Sequence, residues 1–303
     1  MSLFDLPDVD GPAPTPAPAD SERASGKILV GDCLRVLKTL PEGIVQTCVT
    51  SPPYWGLRDY GVPGQVGAEM NVDDYVSTLV EIFREVRRVL RPDGTVWLNI
   101  GDSYTSGGRT WRQPDKKNPA RGMEYRAPTP EGLKPKDLIG VPWRVAFALQ
   151  ADGWYLRSDI VWQKPNAHPE SVKDRPARVH EYVFLLTAEQ DYFYDHAAVR
   201  EPSTQPGGAP RNRRSVWAVN TEPFADAHFA TFPTALVTPC VLAGSTKGSL
   251  VLDPFFGSGT VGEVCSDLGR EFIGIELKQE YAEIARRRLM KRCGLAVPII
   301  PAP

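Results

Sequence analysis

The stretch Leu250-Val251-Leu252-Asp253-Pro254-Phe255-Phe256-Gly257-Ser258-Gly259-Thr260-Val261-Gly262 decides the fold. Its apolar start reads as a short buried strand, its middle as a tight glycine turn and its end as the opening of a helix. Gly257, Gly259 and Gly262 match G-x-G-x-x-G, a spacing that lets backbone approach a ligand closely. A second apolar run, 272–275, ends at Glu276, where a carboxylate can accept hydrogen bonds from ribose hydroxyls. A strand-to-helix turn with no ligand is the plain alternative. On the glycines alone, a nicotinamide dinucleotide fits. Asp253 and Pro254 shift the reading, because they occupy the strand end where open α/β sheets bind ligands. A carboxylate there suits a cationic ammonium or sulfonium better than a pyrophosphate.

Outward from this stretch, strands and helices alternate. Residues 27–30, 45–50, 95–100, 158–163 and 181–187 read as strands. Leu34, Leu37 and Leu40 suggest a short helix. Tyr75, Leu79, Ile82, Phe83, Val86 and Leu90 recur at helical spacing, up to a turn signal at Arg91-Pro92-Asp93-Gly94. Pro142 opens a helix over 143–149, and 281–289 makes a last one. This alternation predicts an α/β fold with a mainly parallel sheet covered on both faces. Residues 1–25 form a proline-rich tail expected to be disordered, 26–292 a single domain, and 293–303 a C-terminal tail. Two Gly-, Pro- and Arg-rich stretches, 101–136 and 164–215, break the rhythm, as functional loops do.

Bulk properties restrict the rest. The 303 residues are 42% apolar and 24% charged, as in ordinary globular proteins. No apolar stretch approaches the roughly 20 residues of a membrane span, and the N-terminus lacks a signal-peptide pattern. The five cysteines are scattered without a C-x-x-C pair, which argues against zinc and fits a reducing cytoplasm. His168, His180, His196 and His228 are likewise too scattered for a metal site. A net charge of −2 is not that of a protein that coats nucleic acid, so such binding would need local basic clusters.

A second motif, Thr50-Ser51-Pro52-Pro53-Tyr54-Trp55, follows the strand at 45–50. Two prolines fix two φ angles and remove two N–H donors, leaving a stiff wall of carbonyl oxygens. Ser51 adds a hydroxyl that can accept or donate. Such a wall fits an amino group with two N–H donors. Tyr54, with Trp55 beside it, offers a flat face on which a planar base can stack. An ordinary proline turn is the plain alternative. The following Gly56-Leu57-Arg58-Asp59-Tyr60-Gly61 reads as a glycine-hinged loop.

The two motifs together resemble those of the amino-methylating DNA methyltransferases, and their order resembles the β group, a circular permutation of one Rossmann-like sheet. The resemblance covers most of residues 26–292. It implies transfer of the methyl of S-adenosylmethionine directly to an exocyclic nitrogen of a flipped-out base in double-stranded DNA, with Ser51, Pro52, Pro53 and Tyr54 catalytic and no metal. It implies that Asp253, Pro254, Phe255, Gly257, Ser258, Gly259 and Thr260 surround the cofactor's methionine part, and that Glu276 and Leu277 meet its ribose. Asp32 would lie near the adenosine, with a helix cap as the alternative; Phe229 and Pro233 belong to a segment packing on the methionyl end. The implied setting is the cytoplasm of a bacterium or phage host, without membrane association. A homodimer and a companion restriction endonuclease are both compatible with it. The target-recognition insert of this group is often large and here is modest, so recognition falls to 101–136 and 164–215. Arg58, Arg109, Arg112, Lys116, Lys117, Arg121, Arg211, Arg213 and Arg214 are the candidate DNA contacts, against the alternative of solvated charges.

Serine heading the proline turn resembles the cytosine-N4 enzymes; aspartate there is more typical of adenine-N6 enzymes. Carbon-5 chemistry needs a cysteine nucleophile, and Cys240 after Pro239 sits in a helical, apolar context that reads as core. The rival classes are a NAD-dependent oxidoreductase, which leaves Ser51–Tyr54 unused, a decayed DNA-binding relative, and a methylase of RNA or of a protein amide.

Overall fold

The computed structural model describes residues 25–57, 62, 65–105, 128–167, 169–222 and 232–302. Its centre is a nine-stranded sheet, in the order β6-β4-β5-β3-β2-β7-β8-β1-β9. The strands are β1 (Gly26–Val30), β2 (Val45–Thr50), β3 (Leu90–Ile100), β4 (Tyr155–Gln163), β5 (His180–Thr187), β6 (Val216–Ala218), β7 (Leu250–Asp253), β8 (Glu271–Glu276) and β9 (Ile299–Pro301). Only β5 runs against its neighbours. Parallel neighbours need crossovers, and helices supply them: α1 (Cys33–Thr39), α2 (Val72–Val89), α3 (Val141–Ala151), α4 (Thr234–Gly244), α5 (Thr260–Leu268) and α6 (Gln279–Cys293). The sheet therefore has a core on each face. One packs Val36, Leu37, Leu79, Ile82, Phe83 and Val145 of α1–α3. The other packs Leu236, Val241, Val261, Val264, Ala282 and Leu289 of α4–α6.

Helix α2 shows how the pattern becomes packing. Tyr75, Leu79, Ile82, Phe83 and Val86 share one face and are buried. Asn71 caps the N-terminus by accepting from the Asp74 N–H at 2.8 Å. Asp73 and Asp74 in the first turn, and Arg87 and Arg88 in the last, suit the helix dipole. Phe83→Ala would cost about 3–5 kcal/mol through lost burial and the cavity left behind.

The sheet departs from expectation at three places. Residues 91–94, a turn signal in sequence, lie inside β3: Val45 pairs with Leu90 and Thr47 with Thr95, so the extra residues bulge out of the ladder at its exposed end. Residues 299–301, within the stretch expected to be a tail, form β9 against β1. Strand β6 has no counterpart in the sequence reading; it adds to β4 with Val161 opposite Val216. Residues 1–24 lie outside the described residues.

Candidate active site

The two motifs leave neighbouring strands. β2 and β7 pair in parallel, with Thr47 opposite Val251 and Cys48 opposite Leu252, so the proline turn and the glycine turn emerge side by side at the strands' C-terminal ends. A hydrogen bond joins them directly: the Thr50 hydroxyl donates to Asp253 Oδ1 at 2.6 Å. Ligands of open α/β sheets bind at this edge.

The glycine turn is held by its own carboxylates. Asp253 Oδ1 also accepts from the Phe255 N–H at 3.0 Å. Glu276 Oε2 accepts from the Gly257 N–H at 2.9 Å, and its Oε1 from the Lys278 N–H at 3.0 Å. Burial pushes both acids up to about 7, against the pull of these donors. Two buried acids so placed favour a cationic ligand. Gly257 (φ 51°) and Gly259 (φ 83°) adopt the left-handed region. At Gly257 a Cβ would meet no atom nearer than Phe255 O at 3.9 Å, so the turn is open there. The carboxylates and the open backbone fit the sulfonium cofactor implied by the resemblance.

Ser258 and Thr260 face away from this crevice. Arg288 of α6 donates to Ser258 Oγ at 2.8 Å and to Thr260 Oγ1 at 3.1 Å, and pairs with Glu263 at 2.7 Å. Their hydroxyls brace the turn from behind, which leaves backbone as their means of touching a ligand. Pro254 is buried and Phe255 half-buried behind Asp253, while Leu277, beyond Glu276, is partly exposed. Asp32 caps α1, accepting from the Arg35 N–H at 2.9 Å. It also lies near the acid end of β8, where the Gly31 N–H donates to Glu276 O at 3.0 Å. Pro233 is buried at the N-terminus of α4; Phe229 lies outside the described residues.

In the proline turn, Pro52 is buried, and Ser51, Pro53 and Tyr54 are half-buried. Tyr75 of α2 donates to Pro53 O at 2.9 Å, which uses one lone pair of the carbonyl wall. The Tyr54 hydroxyl lies 2.7 Å from Glu181 Oε2, 3.3 Å from Asn99 Oδ1 and 3.5 Å from Ser51 Oγ. Glu181 in turn pairs with Lys164. Gly101 makes room for this ring: a Cβ there would lie 2.7 Å from Tyr54 Cε2. Burial, and then the Glu181 charge, push the Tyr54 phenol well above its ordinary value. Trp55 does not offer the second flat face expected of it. It is 5% exposed, packs in the α1–α3 core and donates through Nε1 to Glu69 O.

Of the candidate DNA contacts, Arg58, Arg109, Arg112, Lys116, Lys117 and Arg121 lie outside the described residues. Arg211 and Arg214 both pair with Glu201, at 2.8 and 2.6 Å, and Arg213 lies over the Trp217 ring at 4.5 Å. The two basic segments meet: Lys136 pairs with Asp174, Arg178 with Asp102, and Arg175 covers Tyr104 at 3.9 Å. Cys240 is core, as expected. It is buried in α4, its thiol donates to Leu236 O at 3.3 Å, and burial pushes its pKa up. Among the described residues, no group of three or more His, Cys, Asp or Glu side chains is placed to hold a metal, and no helix is long and apolar enough to cross a membrane.

The sequence reading missed Thr50, Asn99, Gly101, Lys164, Glu181 and Arg288. A signal existed for two of them: Lys164 and Glu181 are lone charges at the ends of apolar strands that pair antiparallel, with Trp162 opposite Glu181.

Similarity to known proteins agrees with this geometry. Residues 45–287 match the N6/N4 methyltransferase family, described as DNA methylase. The type II methyltransferase M.SmaI of Serratia marcescens is 61% identical over 273 residues, 90% of this chain and 94% of that protein. M.XycI of Xanthomonas campestris pv. cyanopsidis is 64% identical over 272 residues, 90% of each chain. Among solved structures, the cytosine-N4-specific PvuII DNA methyltransferase aligns with a TM-score of 0.66 at 19% identity, over 92% of this chain and 95% of that one. A DNA modification methylase of Thermus thermophilus, TTHA0409, complexed with S-adenosyl-L-methionine, aligns at 0.65 and 23%, over 92% and 99%. The order of the motifs, the strand pairing that joins them and the match over 45–287 place the chain in the N6/N4 family of DNA methylases.

Proposed function

We propose that this DNA amino-methyltransferase methylates the exocyclic N4 of cytosine, in a base flipped out of duplex DNA. The observation that carries the reading is the 2.6 Å hydrogen bond from Thr50 to Asp253, which locks a base-sized acceptor turn beside a cation-favouring crevice. S-adenosylmethionine supplies an activated methyl group when bound. In this reading Asp253, Phe255, Gly257 and Gly259 hold its methionine part, and Glu276, Leu277 and Asp32 its ribose and adenine side. The family assignment and the carboxylate at Asp253 both weigh against the nicotinamide alternative.

The chemistry asks for orientation rather than a strong base. An amino nitrogen conjugated to a ring is a poor nucleophile. Acceptors at Ser51 and the proline carbonyls hold its hydrogens out of the ring plane and leave its lone pair aimed at the methyl carbon. Tyr54 stacks on the base. Fixed dipoles and placement supply the rate gain. Ser51 at the head of the turn, and the likeness to the N4-specific PvuII enzyme, favour cytosine over the adenine-N6 alternative. The type II relatives suggest a companion endonuclease of the same sequence specificity.

Single-turnover transfer of labelled methyl to duplex DNA tests the site. Ser51→Ala should slow transfer by about 10²–10³-fold with cofactor affinity retained, the size expected for losing one fixed polar group at the reacting centre. Transfer at the wild-type rate would remove Ser51 from the mechanism.

A further inference from the structure

Ser51 can accept or donate, and nothing in its own chemistry says which it does toward a base. The groups behind it decide. Lys164 Nζ has donors only and pairs with the Glu181 carboxylate while lying over the Trp162 ring at 4.3 Å. Asn99 Nδ2 donates to the same carboxylate at 3.2 Å and to Tyr182 O at 3.0 Å. Glu181 therefore stays ionised and can only accept. Tyr54 has one proton, and the 2.7 Å contact to Glu181 Oε2 takes it in preference to Asn99 Oδ1 at 3.3 Å. With that proton committed, the Tyr54 oxygen can only accept from Ser51 Oγ, 3.5 Å away, at the long limit of a hydrogen bond. Every hydroxyl in the chain then points toward Glu181, and the lone pairs of Ser51 face outward.

We infer that Glu181 is a positioning residue that sets the polarity of this chain, so that Ser51 meets the target base as an acceptor and selects an amino group over a carbonyl. The inference rests on the reading of Ser51–Tyr54 as the base site. It holds for either target base: cytosine against uracil, or adenine against hypoxanthine. The unusual height of the Tyr54 phenol pKa keeps its proton in place at any working pH. Gly101 is part of the same device, because its missing Cβ lets the Tyr54 ring lie flat enough for its hydroxyl to reach Glu181.

The test compares wild type, Glu181→Gln and Tyr54→Phe. In Glu181→Gln, Lys164 holds the amide oxygen, so the amide NH₂ faces Tyr54 and reverses the chain. Tyr54→Phe keeps the stacking face but cuts the chain without touching Glu181. The readout is the ratio of affinities for two duplexes, one with cytosine and one with uracil at the methylated position, with S-adenosylhomocysteine present. The position is found beforehand by mapping methylation of plasmid DNA. If the wild type proves to modify adenine, the pair is adenine and hypoxanthine. Facing an acceptor with an acceptor in a desolvated site predicts about 10–100-fold discrimination in the wild type. Discrimination should fall to less than about fivefold in both variants, with thermal unfolding checking that they fold. The ring-nitrogen difference between the paired bases is common to all three proteins and cancels in the comparison. Normal wild-type transfer with unchanged discrimination in both folded variants would overturn this inference alone. Failure of the wild type to methylate either base would overturn the base-site reading and the inference with it.

Discussion

Asp253→Asn should stabilise the cofactor-free protein at pH 8 and abolish cofactor binding. Asp253 is 1% exposed at the end of β7, and burial raises its carboxyl from 3.8 to about 7 even though Thr50 and the Phe255 N–H donate to it. A rise of about three units corresponds to about 4 kcal/mol at about 1.4 kcal/mol per unit. The sign follows from linkage. A group whose folded pKa lies above its unfolded one contributes stability that is fully present below the unfolded pKa and is lost as pH rises through the folded one. For Asp253 that window runs from 3.8 to about 7, and Glu276, raised from 4.5 to about 7, acts in the same direction. Asparagine keeps an oxygen for Thr50 and Phe255 but cannot ionise. The variant should therefore gain roughly 2–4 kcal/mol over wild type at pH 8, allowing for weaker hydrogen bonds to a neutral acceptor. In a domain of this size that is roughly 5–12 °C in Tm. The gain should shrink to nothing near pH 4. Circular-dichroism melts from pH 4 to 8.5, with calorimetric titration of S-adenosylmethionine at pH 8, measure both halves. A variant destabilised equally at all pH values would refute the desolvation argument, and one that still binds cofactor tightly would remove Asp253 from the site.

Other predictions follow from the same crevice. Cofactor affinity of the wild type should weaken as pH falls through about 7, because protonating Asp253 and Glu276 removes the charge that meets a cation; titration calorimetry at pH 6 and 8 checks it, and a pH-independent affinity would contradict it. Gly259→Ala should cost about 1–3 kcal/mol, since its φ of 83° is strained for alanine and the new Cβ would sit 3.1 Å from that of Ala285. Equal urea midpoints for Gly259→Ala and wild type would count against this. Arg288→Ala should cost about 3–5 kcal/mol, because Glu263, 8% exposed, would keep a buried charge without its 2.7 Å partner. A loss below about 1 kcal/mol, by the same denaturation, would show that water reaches Glu263.

Much of the fold was legible because it depends on local pattern. The buried face of α2 follows from five apolar residues at helical spacing, and β2 and β8 from short apolar runs. The turn signal at residues 91–94 misled because β2 offers a partner on each side of a bulge, and sheet pairing overrode local propensity. β6 and β9 span three residues each, too few to show a period. The motif residues of the site were legible as strings, but what surrounds them was not. Asn99, Lys164 and Glu181 reach Tyr54 across separations of 45 to 127 residues, through pairings among β3, β4 and β5 that no local pattern encodes. Charge alone also overstated Arg211 and Arg214, which share one carboxylate on Glu201.

The most direct measurement is nucleoside mass spectrometry of unmethylated duplex DNA incubated with the protein and S-adenosylmethionine. The account predicts N4-methylcytosine and no other methylated nucleoside. N6-methyladenine would keep the site and overturn the argument from Ser51, and unmodified DNA in the presence of bound cofactor would contradict the account itself.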